Sequence, residues 1–89
     1  MNMKLMIVIV RDTDGDNVIR ELVNQGYRVT RMASTGGFLR RGNLTLMIGV
    51  EVGKVEAVID ILRQATRPPD SEQHRATVFV VDMPYFEQV

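Results

Sequence analysis

The residues best suited to chemistry lie between Tyr27 and Gly49, in the stretch YRVTRMASTGGFLRRGNLTLMIG. Four arginines fall there (Arg28, Arg31, Arg40 and Arg41), and no acid does. Thr35-Gly36-Gly37 can turn successive backbone amides towards one point, because its glycines tolerate positive φ, and such a nest suits an anion. Phe38 and Leu39 are apolar residues at a loop tip, costly to expose unless something flat covers them. Asn43 carries an amide able to pair bidentately with a nucleobase edge. Charge for phosphate, apolar surface for a ring and an amide for a base edge together describe a nucleotide site. On composition alone, a plain Gly-Gly hairpin with solvated arginines accounts for the stretch equally well.

Other groupings carry less. Asp12-Thr13-Asp14-Gly15-Asp16 has the look of a calcium loop. Its glycine stands fourth rather than sixth, however, and Val23 occupies the place of the closing glutamate. The cluster reads instead as helix N-capping. Gly49-Val50-Glu51-Val52-Gly53-Lys54 is one residue short between its glycines for a phosphate loop, and Val55 follows where a magnesium-binding hydroxyl is required. His74 is the only histidine and has no cysteine partners, so it reads as a solvated loop residue. No nucleophile–base pair and no acid pair held in an apolar setting can be assembled. The expectation is a binding protein rather than an enzyme, with no catalytic residue, metal or cofactor.

These residues need a scaffold to position them. Met3 to Val10 (MKLMIVIV) reads as a buried strand. Arg11 to Asp14 then offers capping chemistry to a helix over about Asp14–Gln25, with an apolar stripe of Val18, Ile19, Leu22 and Val23. Gly26 stands where a left-handed cap is wanted. Tyr27–Ser34 and Asn43–Glu51 are the next two strands. Gly53 opens a second helix with the stripe Val55, Val58, Ile59 and Leu62, which Pro68-Pro69 ends. Asp70–Arg75 is a polar connector, Ala76–Met83 the last strand, and Pro84–Val89 an aromatic tail.

The order βαββαβ predicts an α+β, ferredoxin-like sandwich with both helices on one face of an antiparallel sheet. Met47, Phe79 and Val81 are candidates for the other face, whose cover in this fold often comes from further subunits.

With 89 residues, the chain makes one domain, 1–89. A chain of this size buries only about 60–65% of its unfolded surface, so oligomerisation is expected to supplement the core. It has no cysteine, and its 11 basic and 11 acidic residues cancel, which disfavours a general nucleic-acid coat protein. No signal peptide or membrane span is legible, and a soluble, cytoplasmic protein is expected.

On Tyr27-Arg28-Val29-Thr30, Thr35-Gly36-Gly37-Phe38-Leu39-Arg40, Gly42-Asn43, Ala76-Thr77-Val78-Phe79-Val80 and Phe86-Glu87-Gln88, the chain resembles the PII-like cyclic di-AMP receptors, small trimeric signalling proteins of bacteria. The resemblance covers nearly the whole chain. It implies a ferredoxin-like homotrimer with a ligand pocket at each subunit interface. By position it implies ligand contacts from Arg28, Thr30, Gly37, Phe38, Leu39, Asn43 and Gly49, and from Phe79 and Gln88 of the last strand and tail. The chemistry of these residues agrees: arginine for phosphate, Asn43 and Thr30 for adenine edges, Phe38 and Phe79 for ring packing. The basic hairpin becomes one wall of an intersubunit site, expected to exist only in the trimer.

One departure stands out. The family's long loop before the last strand shrinks here to Thr66–Arg75, and that loop is the natural relay to a downstream protein partner. Ligand binding therefore carries over more directly than signalling output. Alternatives are another nucleotide such as ATP, a structural or metal-linked trimer similar to the CutA family, and single-stranded RNA binding by the arginine hairpin.

Overall fold

The computed structural model describes residues 2–32, 42–68 and 75–89. The hairpin segment Thr35–Leu39, with Arg40, Arg41 and His74, lies outside the described residues. Strand β1 (Met3–Arg11) is apolar on both faces because it is central: it pairs antiparallel with β3 (Asn43–Glu51) on one side and β4 (Ala76–Asp82) on the other. The edge strand β2 (Val29–Met32) completes the order β2-β3-β1-β4. Helices α1 (Asp12–Asn24) and α2 (Val55–Ala65) pack together over one face, so the ferredoxin-like βαββαβ expectation holds.

Register sorts every strand residue onto a face. Met6, Val8 and Val10 of β1 align with Ile48, Leu46 and Leu44, and these point towards the helices. With Val18, Leu22, Val58 and Leu62 they form the core. Burying each such side chain contributes roughly 1.5–3 kcal/mol. The opposite face carries Thr30, Met47, Ile7 and Phe79 in one cross-strand row. The next row holds Gly49, Leu5 and Val81, so the expected open-face residues Met47, Phe79 and Val81 are all there.

The stripe of α1 is narrower than its spacing predicts. Val18 and Leu22 are buried and Ile19 packs against the core, but Val23 is 55% exposed. The contact instead continues backwards to Gly15, where an added Cβ would stand 2.6 Å from Leu44 Cδ2. The bare glycine lets the first turn sit close against β3, which rotates Val23 outward. The capping expectation also changes. Arg11 is both the last strand residue and the N-cap, in extended conformation, and makes no side-chain cap. Asp12 and Asp14 do occupy the first turn, near the positive helix end. Asp14 is instead buried, held by Arg11 and by Arg67 beyond α2.

Thr45 is 4% exposed and its Oγ1 has no hydrogen-bond partner among the described residues. A buried unmade hydrogen bond is unfavourable, and valine has the same shape and suits a strand. Thr45→Val is expected to stabilise the fold by about 1 kcal/mol. Urea denaturation checks this: a lower midpoint than wild type would mean that the hydroxyl is satisfied.

Candidate functional site

Arg28 owes its position to the end of α1. Gly26 adopts φ 91°, its N–H donates to Val23 O at 3.0 Å, and Tyr27 N–H donates to Leu22 O at 3.0 Å. This is the paired bonding of a Schellman cap, with Tyr27 closing against the core as the motif's apolar contact. The chain therefore leaves the helix in one direction, and Arg28 emerges at the start of β2.

There it meets a cavity of about 640 Å³, within the range of small-molecule sites. The cavity lies at the end of the sheet where β1 and β2 begin and β3 ends. Leu5, Met47 and Gly49 contribute from the open face, Arg28 and Thr30 from β2, and Met83, Phe86 and Gln88 from the last strand's end and tail. The tail is anchored: Met83 N–H donates to Met3 O at 3.1 Å, and Arg28 Nη1 donates to Gln88 Oε1 at 3.0 Å. Two candidates sixty positions apart in the chain are thus in direct contact. Tyr85 donates its hydroxyl to Glu87 at 2.6 Å, which pushes its pKa above the usual phenol value.

Gly49 has room for little else. An added Cβ would stand 3.2 Å from Met83 Cε, so a bare strand position lets the tail, or a flat ligand in its place, approach the backbone. The apolar walls lower the local dielectric around whatever charge binds, strengthening a guanidinium contact.

Four sequence candidates therefore share this cavity: Arg28, Thr30, Gly49 and Gln88. Thr35, Gly36, Gly37, Phe38 and Leu39 lie outside the described residues. Asn43 does not line the cavity. It sits at the far end of β3, opposite Arg11, six residues from Gly49 and so roughly 20 Å away at the rise of a strand. Phe79 shares the open face but sits on the edge strand β4, 52% exposed and away from the cavity. A concavity is already present in a single chain. The reason is that the chain's own tail walls it.

Lining residues that sequence reasoning did not name as ligand contacts include Tyr27, Glu51, Lys54, Met83 and Phe86. Lys54 had a signal, since it ends the motif set aside as a phosphate loop, and Phe86 stood next to Gln88 in the aromatic tail. Met83 had none, because a methionine beyond a strand has no pattern of its own. Among the described residues there is no group of three or more histidine, cysteine, aspartate or glutamate side chains able to hold a metal. No helix among them is long and apolar enough to cross a membrane.

Comparison with known proteins bears on this arrangement. The family model described as "Cyclic-di-AMP receptor" matches residues 3–73, most of the chain and all of its first three strands. A solved structure of a functionally unknown protein from Pediococcus pentosaceus ATCC 25745 superposes with a TM-score of 0.81 at 34% identity, over 100% of this chain and 99% of that one.

Proposed function

The chain belongs to the cyclic-di-AMP receptor family, and we propose that it is a non-enzymatic signalling receptor that binds cyclic di-AMP in the cavity beside β2. The observation that carries this is Arg28, whose guanidinium faces an apolar-walled cavity with the neutral amide of Gln88 as its one partner among the described residues. A phosphate oxygen is a stronger acceptor for a guanidinium than an amide is, so a ligand phosphate displaces Gln88. Thr30 and the freed Gln88 amide then face the ligand's base edges, while Phe86 and the methionines pack on its rings.

The residues absent from the single-chain cavity enter from elsewhere. The Thr35–Leu39 candidates lie outside the described residues, and Phe79 and Asn43 reach the site from a neighbouring copy in a homotrimer. The surface of β4 favours such an assembly: Phe79, Val80 and Val81 are each about half exposed, on both faces of an edge strand. Exposed apolar edges of this kind need cover. Binding then favours one conformation for a downstream protein partner by no more than the ligand's difference in affinity between states.

Calorimetry with cyclic di-AMP, cyclic di-GMP and ATP tests the reading, with sedimentation analysis giving the assembly. Heat with cyclic di-AMP alone is expected, and a mass of three chains. No heat with any of the three at high protein concentration would remove the nucleotide assignment. Heat with ATP alone would make this an ATP-binding member. Asn43→Ala is expected to weaken binding about tenfold, the value of one good hydrogen-bonding pair. If affinity is unchanged, Asn43 is not in the site.

A further inference from the structure

The motif Gly49-Val50-Glu51-Val52-Gly53-Lys54, unfit as a magnesium-nucleotide loop, returns as one wall of the cavity, which Gly49, Glu51 and Lys54 all line. We propose that Lys54 is a second phosphate contact, so that the cavity selects a ligand with two phosphate groups over one with a single phosphate. The inference rests on the nucleotide reading above and adds to it a residue and a ligand requirement.

Among the described residues, Arg28 and Lys54 are the cations lining the cavity, and they come from different walls: the start of β2, and the 3₁₀ turn Val52–Lys54 between β3 and α2. Neither forms an ion pair among the described residues. A guanidinium fork engages one phosphate at a time. A dinucleotide with two phosphates therefore leaves one charge unanswered unless a second cation faces the same space. Lys54 supplies it.

The local structure gives no other reason for a lysine at this place. Lys54 closes a 3₁₀ turn that runs directly into α2, has helical backbone angles, and its side chain caps no helix amide. In the first turn of this continuous helical segment, a cation opposes the helix dipole. A residue that breaks a local rule without structural gain marks a functional demand. An anion bound beside it removes the conflict. Glu51 sets a limit, since its carboxylate lines the same cavity and repels any phosphate that approaches it. The site is thus a patterned one, with cations where phosphates sit and an acid where they do not.

The test measures cyclic di-AMP binding by calorimetry at several salt concentrations, for wild type, K54Q and E51Q. It is repeated with adenylyl-adenosine, which keeps two adenines and carries one phosphate. K54Q is expected to lower affinity for cyclic di-AMP tenfold or more and to flatten its salt dependence. E51Q, of opposite charge effect, is expected to leave affinity unchanged or raise it. Wild type should prefer cyclic di-AMP to adenylyl-adenosine by tenfold or more, and K54Q should lose that preference.

Affinity that falls in both K54Q and E51Q indicates a distorted turn and overturns the proposal. So does unchanged affinity in K54Q, or equal wild-type binding of the two ligands. Wild type binding neither ligand would overturn the nucleotide reading itself, an outcome visible without any variant.

Discussion

Arg28→Ala is expected to weaken cyclic di-AMP binding about a hundredfold while leaving the fold intact. Hydrogen bonds to charged groups contribute about 1.5–3 kcal/mol, and each tenfold in affinity is about 1.4 kcal/mol. The upper part of that range applies, because a ligand covering the cavity removes water from the guanidinium and leaves its phosphate against Leu5, Met47 and Phe86. Arg28 is exposed in the free chain and, among the described residues, bonded only to Gln88, so its loss costs little stability, within about 0.5 kcal/mol. Arg28→Lys should fall between the two, since the charge remains and the planar fork is lost. Calorimetry on both variants, with thermal melts as the control, reads the result. A wild-type affinity for Arg28→Ala would move the phosphate elsewhere in the molecule, and with it the whole site.

The largest effect on stability is expected at the other end of the sheet. Asp14→Ala should destabilise the domain by about 2–3 kcal/mol, the lower side of the cost of breaking a buried ion pair, because Arg67 is well exposed and screened. The Asp14 side chain is 2% exposed and accepts from Arg11 Nε at 3.0 Å, with Arg67 Nε at 3.4 Å and its backbone N–H at 3.3 Å. Arg11 in turn donates to Arg67 O at 2.5 Å. One carboxylate thus holds the end of β1 and the start of α1 to the segment after α2. Removing it leaves a half-buried guanidinium without an anion. For a domain of this size, such a loss lowers the melting temperature by about 10–20 °C. Urea unfolding should show a lower midpoint with an unchanged slope. Ligand affinity measured well below the transition should be unaltered, because Arg11 does not line the cavity and stands opposite Asn43, four residues along β3 from the lining residue Met47 and so roughly 13 Å from it. A wild-type midpoint would show the network to be neutral.

The two substitutions separate what each end of the sheet does, and they also separate what could be read in advance. Arg28, Thr30, Gly49 and Gln88 were named from residue type and from likeness to the family, and the fold gathers all four around one cavity. Lys54 belonged to a motif rejected for a correct reason, since its spacing cannot hold magnesium. The rejection of one chemistry hid a simpler one, that of a cation at the lip of a cavity. Asp14 was read as a cap because local rules favour an acid before a helix. The competing contact is with Arg67, fifty-three positions away, which no local rule could supply.

The amino-acid sequence by itself determined the element order, the strand alternation on β3, the left-handed turn at Gly26 and the family. These follow from periodicities and backbone preferences that act within a few residues. Only the tertiary structure decided that the tail folds back onto the open face, that Gln88 meets Arg28, and that Asn43 and Phe79 stand away from the cavity of one chain. Those outcomes depend on register across β2-β3-β1-β4 and on packing between distant segments. Long-range pairing is set by the sum of many contacts, and a local pattern does not carry it.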